Sequence, residues 1–332
     1  MPKDRSISVI IPVHNGAGFI GTALQSLERQ VEDRSRMQVV IVDDGSTDGT
    51  ADIARAFGDR LGEMTILRNE DPLSVGTGRV QGLAAAEREY IAFLDADDWM
   101  APGRLDHLIH RCEELGVDYV RTDHVRAFED GKPRELHRAP DGRRETPLSG
   151  RDTIFPTNSS SLVDYPFPWA GIFHRRLADD GRLAYDEGLH SFEDRVAIWR
   201  LALSDATLAV VDAPWIMYRR EVASSLTQVY DERQLAFIRG FELVRDLILA
   251  DDANRVFEPK MVRQFLAISA HHVSRQHGMH LGMRRQLRRA ITDLALSLDS
   301  EPLRAEWENI GAGRRALLGT AILPALKESA SA

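Results

Sequence analysis

The stretch Ile91-Ala92-Phe93-Leu94-Asp95-Ala96-Asp97-Asp98-Trp99 decides how the rest of the chain is read. Four apolar residues in a row suit a strand buried on both faces, and they run straight into three carboxylates. Asp is a poor strand former, so the sheet ends there and presents its acids at the carboxyl edge, where open α/β sheets bind ligands. Carboxylates this close repel one another. A cation offsets that repulsion, and the simplest candidate is a hard divalent metal shared with a phosphate-bearing substrate. Solvated loop acids capping a helix that starts near Pro102 are the plainer alternative, which this stretch alone leaves open.

Upstream, Ser8-Val9-Ile10-Ile11-Pro12-Val13-His14-Asn15 is an apolar strand ending in a turn, followed by a helical pattern through Phe19, Ile20, Ala23, Leu24 and Leu27. A second buried strand over residues 38–42 leads into Asp43-Asp44-Gly45-Ser46-Thr47-Asp48. Strand, helix, strand is a βαβ unit whose parallel strands aim polar residues at one edge. Residues 50–57 read as a helix, 64–67 as a short strand and 78–88 as the helix leading into the central strand. The glycines of Gly76-Thr77-Gly78-Arg79-Val80-Gln81-Gly82 follow the third strand, not the first, so a dinucleotide motif is disfavoured. Arg79 is placed either to face a diphosphate or to pair with a neighbouring acid.

Downstream, residues 102–115 read as a helix and 117–121 as a strand, while the Gly, Pro and charge of residues 129–152 predict a mobile loop. Glu193-Asp194 opens a helix running through Leu203, where acids also suit the helix dipole. Ser224-Ser225-Leu226-Thr227 is predicted as a polar loop closing the α/β part. From about Asp231 the pattern is helical only, with Phe237, Phe241, Val244 and Ile248 on one face and Leu287, Ile291 and Leu294 on another.

The chain has 332 residues, a formal charge of −9 and one cysteine, Cys112, which excludes an internal disulfide and a cysteine-based zinc cluster. The acidic balance argues against a general nucleic-acid binder. Residues 255–290 depart from it, with eight Lys/Arg, one acid and four histidines, locally about +7. Their basic and histidine positions, including His271, His272, Arg275, His277, His280, Arg284 and Arg285, are predicted to face outward toward an anionic partner. No run approaches a membrane span and no signal-peptide core leads the chain, so a cytoplasmic location at or near the inner membrane face is expected. The apolar segment 316–326 needs a neighbour, either another subunit or a membrane surface.

Taken together, residues 8–15, 42–48 and 93–98, with Trp169, the Phe173-His174-Arg175-Arg176 run and Glu193-Asp194 in the same order, resemble family 2 inverting glycosyltransferases. The resemblance spans roughly residues 6–228. It implies a GT-A fold: an α/β, Rossmann-like nucleotide-sugar-binding catalytic domain over residues 1–228, followed by a helical C-terminal region over residues 229–332 for acceptor binding or oligomerisation. It further implies a UDP-sugar donor carrying a hexose or N-acetylhexosamine, and Mn²⁺ or Mg²⁺ as cofactor. Asp44 is then expected to read the uracil, and Pro12 and His14 to line the base pocket. Asn15, Asn69 and Ala96 are expected to join the donor site, and Arg79 to contact the diphosphate. The DXD acids Asp95 and Asp97 are expected to hold the metal, Asp194 to be the general base and Glu193 its catalytic partner. One departure is Val80, where the family often has Asn, which puts one sugar contact in doubt.

The Ser274-Arg275-Gln276-His277-Gly278 stretch and the apolar terminal helix resemble, more narrowly, wall teichoic acid glycosyltransferases. That likeness implies an anionic polyol-phosphate or other cell-envelope glycan acceptor, touched by Trp169, Arg219, Arg275 and His277. It also implies a homo-oligomer, in that group a trimer, built through the terminal helix, with peripheral membrane contact open. Exopolysaccharide or glycolipid assembly is the alternative within the class. A nucleotidyltransferase would want a glycine-rich basic first loop, which Pro12-Val13-His14-Asn15 is not. A non-catalytic nucleotide-sugar or glycan-binding protein would tolerate loss of Asp97 or Asp194, and both are present.

Overall fold

The computed structural model describes residues 5–128, 132–220 and 231–328. In chain order the elements are β1 (Ile7–Val13), α1 (Ile20–Leu27), β2 (Met37–Asp44), α2 (Thr50–Arg55), β3 (Glu63–Asn69), α3 (Val75–Ala85), β4 (Tyr90–Phe93), β5 (Trp99–Met100) and α4 (Arg104–Leu115). Then come β6 (Tyr119–Arg121), β7 (His124–Phe128), β8 (Glu135–His137), β9 (Leu148–Ser149), β10 (Gly171–His174), α5 (Arg176–Asp179), α6 (Glu193–Leu203), β11 (Thr207–Val210) and β12 (Ile216–Arg220). Five helices follow: α7 (Ala236–Leu249), α8 (Glu258–Arg275), α9 (Leu281–Leu296), α10 (Ser300–Asn309) and α11 (Ala312–Glu328). The predicted change from α/β alternation to helices is observed. Its boundary near residue 228, and the loop at 224–227, lie outside the described residues.

The main sheet runs β3-β2-β1-β4-β10-β6-β11-β9, with β1 to β4 parallel and β10 antiparallel to both neighbours. β2 is buried along its whole length and β1 nearly so, as apolar runs covered on both faces require. Register does the functional work. Val13 lies beside Asp43 and Ile10 beside Phe93, so β1, β2 and β4 deliver His14, Asp44 and Asp95 to one edge. α3 lies close on this sheet because Gly82 has no Cβ; one there would overlap the Ile10 side chain. A second sheet, β5-β12-β7-β8, continues from the acids through Trp99, paired with Met217.

Three expectations need correction. The described part of 129–152 is a packed segment: β8 pairs with β7, β9 pairs with β11, and Arg144 binds Asp123 at 2.8 Å. Edge pairing, ion pairs and two buried apolar side chains, Ala139 and Leu148, hold a composition rich in Gly, Pro and charge. The apolar face of 316–326 has its neighbour within the chain: Leu318, Ala321, Ile322 and Ala325 are buried where α11 packs on α8, α9 and α10. Among the described residues, no helix is long and apolar enough to cross a membrane.

The third correction concerns part of the basic stretch: His271, Arg275, His277, His280 and Arg285 are exposed as expected, but four of its eight Lys/Arg have an acid partner and Arg284 and His272 turn inward. Lys260 is buried and pairs with Asp164 at 2.6 Å, Arg263 pairs with Glu306 at 3.3 Å, and Arg255 with Asp252 and Glu258, both at 3.1 Å. Arg284 turns back to donate to the carbonyls of Met279 and His277, at 2.8 and 2.9 Å. His272 does not face outward; it stacks on Phe237 at 4.3 Å, and burial, with His271 and Arg275 nearby, pushes it down to about 4.

Candidate active site

At the carboxyl edge of the sheet, two contiguous cavities of about 510 and 370 Å³ share Pro12, Val13, His14, Val75 and His190. The first is built around Asp44. Its neighbour Asp43 is fully buried and spent on structure, accepting from Arg68 at 2.5 Å and from the Ser46 backbone at 2.9 Å. Asp44 instead opens on the cavity, its carboxylate held by the Asn69 amide at 2.8 Å and by the Leu73 N–H at 3.0 Å. Asn69 and Gln81 exchange two hydrogen bonds, of 2.9 and 3.1 Å, so the amide that orients Asp44 is itself fixed. His14 Nδ1 lies 2.7 Å from the Asp44 carbonyl, which can only accept, so this nitrogen carries the hydrogen. The neutral ring then accepts at Nε2 from the Asn15 amide, 3.0 Å away. A carboxylate aimed into a pocket beside an imidazole face suits the donor N–H of a planar base.

The second cavity gathers the acids. Asp95, Ala96, Asp97, Arg79, Glu193 and Asp194 all line it, although they come from three separate parts of the chain. Burial first, and then Asp95, raise the Asp97 carboxyl to about 6. Asp98 is buried outright and raised further by burial and by Asp97 and Asp95. One of its oxygens accepts from the Arg219 N–H at 2.8 Å and the other has no hydrogen-bond partner among the described residues. A half-satisfied buried carboxyl beside two partly exposed ones is a donor set short of positive charge. Asp95 and Asp97 fit a hard divalent ion that completes its coordination with substrate oxygens and water. Among the described residues no group of three or more acids, histidines or cysteines could hold a metal alone.

Arg79 takes the second of its two expected roles, pairing with acids, while still lining the cavity. Its side chain is only 4% exposed, and the guanidinium forms an ion pair with Glu193 and reaches Asp95 at 3.3 Å. Two acids already engage it, so it bridges the metal-side carboxylates to the first turn of α6 while still forming cavity wall. Glu193 is thereby occupied as a counter-ion; burial raises its carboxyl, against the pull of Arg79. Asp194 keeps one face on the cavity, with an oxygen 2.7 Å from the Arg195 N–H. Burial likewise raises it above the ordinary carboxylate range. An acid so placed holds a proton more readily, which a proton acceptor needs.

The four expected acceptor residues are dispersed. Trp169 is 2% exposed, packed edge-on to His124 and tilted against Tyr218 at 5.1 Å, so it supports the cavity from beneath and does not touch solvent. Arg219 belongs to the acid loop: Nε donates to the Asp97 carbonyl at 2.9 Å and the guanidinium lies over Phe19 and Trp99 at 5.1 and 5.0 Å. Arg275 and His277 are exposed at the end of α8, outside both cavities. Among the lining residues not anticipated are Phe19, His190, Phe192, Tyr218 and, on the first cavity, Arg233. Tyr218 carried a readable signal, an aromatic followed by Arg219-Arg220, and its hydroxyl accepts from Arg220 at 2.9 Å. Nothing in the linear pattern marks Arg233, which arrives from the helical region.

Comparison with known proteins agrees with this geometry. The chain is 26% identical over 231 residues to the glycosyltransferase EpsH of Bacillus subtilis, covering 69% of this chain and 64% of EpsH. It is 31% identical over 141 residues to the succinoglycan biosynthesis protein ExoU of Rhizobium meliloti, covering 42% of this chain and 39% of ExoU. The chain thus spans less than two thirds of the length of these relatives. The structure of residues 1–349 of S. aureus TarS in complex with UDP-GlcNAc superposes with a TM-score of 0.72, covering 98% of this chain and 92% of that one. At 19% identity the likeness is one of fold. The glycosyl transferase family 2 model matches residues 8–177, just over half of the 332 residues, and takes in β1 with His14, the Asp43-Asp44 turn, Arg79 and the acids after β4. The chain belongs to glycosyl transferase family 2.

Proposed function

We propose that this protein moves a hexose or N-acetylhexosamine from a UDP-sugar to a hydroxyl of a cell-envelope glycan, with inversion at the anomeric carbon and with Mn²⁺ or Mg²⁺ bound. The observation that carries the reading is the meeting, in one continuous pair of cavities, of a carboxylate suited to a base (Asp44), two neighbouring carboxylates at the sheet edge (Asp95 and the raised Asp97) and a separate raised carboxyl on a helix start (Asp194). The UDP-GlcNAc bound by TarS on the same fold supports the donor class.

The residues divide the work by their chemistry. Asp44, oriented by Asn69 and Leu73, binds the uracil N–H; His14 and Pro12 shape that pocket. Asp95 and Asp97 hold the divalent ion, which when bound neutralises the diphosphate leaving group as a Lewis acid. Arg79, anchored on Glu193 and Asp95, keeps a fixed positive charge in the cavity wall, so stabilising the developing charge needs little rearrangement. Asp194 takes the proton of the attacking hydroxyl, and one displacement from the side away from the diphosphate inverts the centre.

The acceptor read best is a neutral or weakly charged glycan, because half of the eight cations of the basic stretch already have an acid partner, Lys260 in Asp164, Arg263 in Glu306, Arg255 in Asp252 and Glu258 and Arg289 in Asp293, and no residue of the stretch lines either cavity. Arg275 and His277, exposed at the end of α8, are the observation that keeps a polyol-phosphate acceptor as a second reading. The test is release of UDP from a panel of UDP-sugars with Mn²⁺ and acceptor. Asp194→Asn is expected to lower transfer about 10³-fold while UDP affinity stays within about threefold. Equal loss of UDP affinity would make Asp194 structural.

A further inference from the structure

Between Ser191 and Glu193, Phe192 has φ of 74°, in the left-handed region that bulky side chains avoid. Such a conformation persists only where the surroundings over-determine it. Here they come from the helical region. The Phe192 ring packs on Phe241 of α7 at 4.9 Å, and Arg195 covers it at 5.3 Å. It also lies directly against Gly240: a methyl placed there would overlap the ring edge, with two further ring carbons at 3.0 and 3.1 Å. Glycine is unfavourable inside a helix relative to alanine, so its presence within α7 marks a close approach that a larger residue would block.

Phe192 is the residue from which α6 starts, with no side-chain cap of its own, and Glu193 and Asp194 are the first two residues of that helix. The angle at which the helix leaves the loop, and so the aim of the Asp194 carboxylate, is set by the seat of this ring. We infer that Phe192 and Gly240 form a wedge through which the helical region positions Asp194, making both of them positioning residues for the transfer step. This rests on Asp194 being the base. It gives the helical region a part in the chemistry that is independent of any acceptor it binds.

The test uses the full chain carrying Gly240→Ala, Phe192→Ala, and Gly240→Ala combined with Phe192→Leu. Gly240→Ala is expected to lower kcat about tenfold or more, since small misplacements of a reacting group are costly, while the Kd for UDP with Mn²⁺ holds within about twofold. Amide exchange at residues 193–196 is expected to speed up. Adding Phe192→Leu, whose branched side chain can turn from the new methyl, is expected to restore most of kcat and slow the exchange again, a coupling that independent damage would not produce. Unchanged kcat and exchange in Gly240→Ala, or a loss that Phe192→Leu does not relieve, would overturn the wedge. Should Gly240→Ala fail to fold, Phe192→Ala decides: lowered kcat with intact UDP binding supports the inference, and unchanged kcat refutes it. If Asp194→Asn retains full transfer, the base assignment falls separately, and the exchange data still judge the wedge.

Discussion

The acids of residues 95–98 and the basic stretch of residues 255–290 are the two strongest local charges in the sequence, and folding treats them oppositely. The acids are brought to a sheet edge where Arg79 reaches only Asp95: Asp97 is raised to about 6, and Asp98 keeps an oxygen with no hydrogen-bond partner among the described residues. Half of the eight bases are matched by acids, Lys260 by Asp164, Arg263 by Glu306, Arg255 by Asp252 and Glu258 and Arg289 by Asp293. A charge cluster in sequence becomes a site only if the fold withholds its counter-ions. Where the fold supplies them, the same cluster is mortar between helices.

The largest expected effect breaks the acidic side. Asp97→Asn should weaken Mn²⁺-dependent UDP binding on the order of 100-fold. It should also make the protein more stable at neutral pH. A carboxyl raised above its ordinary value binds more protons folded than unfolded, so it costs stability as pH climbs from about 4 through about 6, and the deficit stays at higher pH. Removing it should raise Tm at pH 7.5 by about 3 °C and leave Tm near pH 4 unchanged. Thermal melts at the two pH values check this. A lowered Tm at pH 7.5 would mean that Asp97 is already paired.

On the basic side the effect should be smaller and appear in stability instead of activity. Lys260→Met removes the partner of Asp164 and the donor to the carbonyls of Pro156 and Ser159, at 3.1 and 2.7 Å. Breaking one half of a buried pair costs about 3 kcal/mol, which urea unfolding reads as a lowered midpoint. Adding Asp164→Asn should recover part of the loss. Donor turnover, measured on the protein that stays folded, should be unchanged; a fall in turnover would place this pair in the site after all.

The contrast also explains what could be read in advance. The parallel sheet, its acidic edge and the change to helices all follow from local patterns: apolar runs, Asp at strand ends, apolar residues at helical spacing. That Asp44, Asp95, Asp97 and Asp194 reach one pair of cavities was foreshadowed by their places after a buried strand or at a helix start, although acids there also serve structure, as Asp43 and Glu193 do. Arg79 was half legible, since its pairing with Glu193 joins residues 114 positions apart and no spacing rule reaches that far. Trp169 misled because an aromatic in a polar loop looks exposed, yet His124, Phe167 and Tyr218 close over it. Arg233 and the Phe192–Gly240 contact depend on how α7 docks, a tertiary fact with no local signature.

The smallest effect sharpens the comparison at its weakest point, the exposed end of α8. If neutralisation by the fold is what removes the basic stretch from acceptor binding, then Arg275→Glu with His277→Ala should change the KM for a neutral glycan acceptor by less than about twofold, at low salt and at 0.2 M salt alike. Cations that line neither cavity release few counterions on acceptor binding and give a shallow dependence on ionic strength. A polyol-phosphate acceptor would behave differently, its KM rising steeply with salt in the wild type and losing that slope in the variant. One outcome is a flat salt response and the other a steep one, so acceptor kinetics over a salt series separate a structural basic stretch from a polymer-gripping one, even while the donor side of the site stays unaltered.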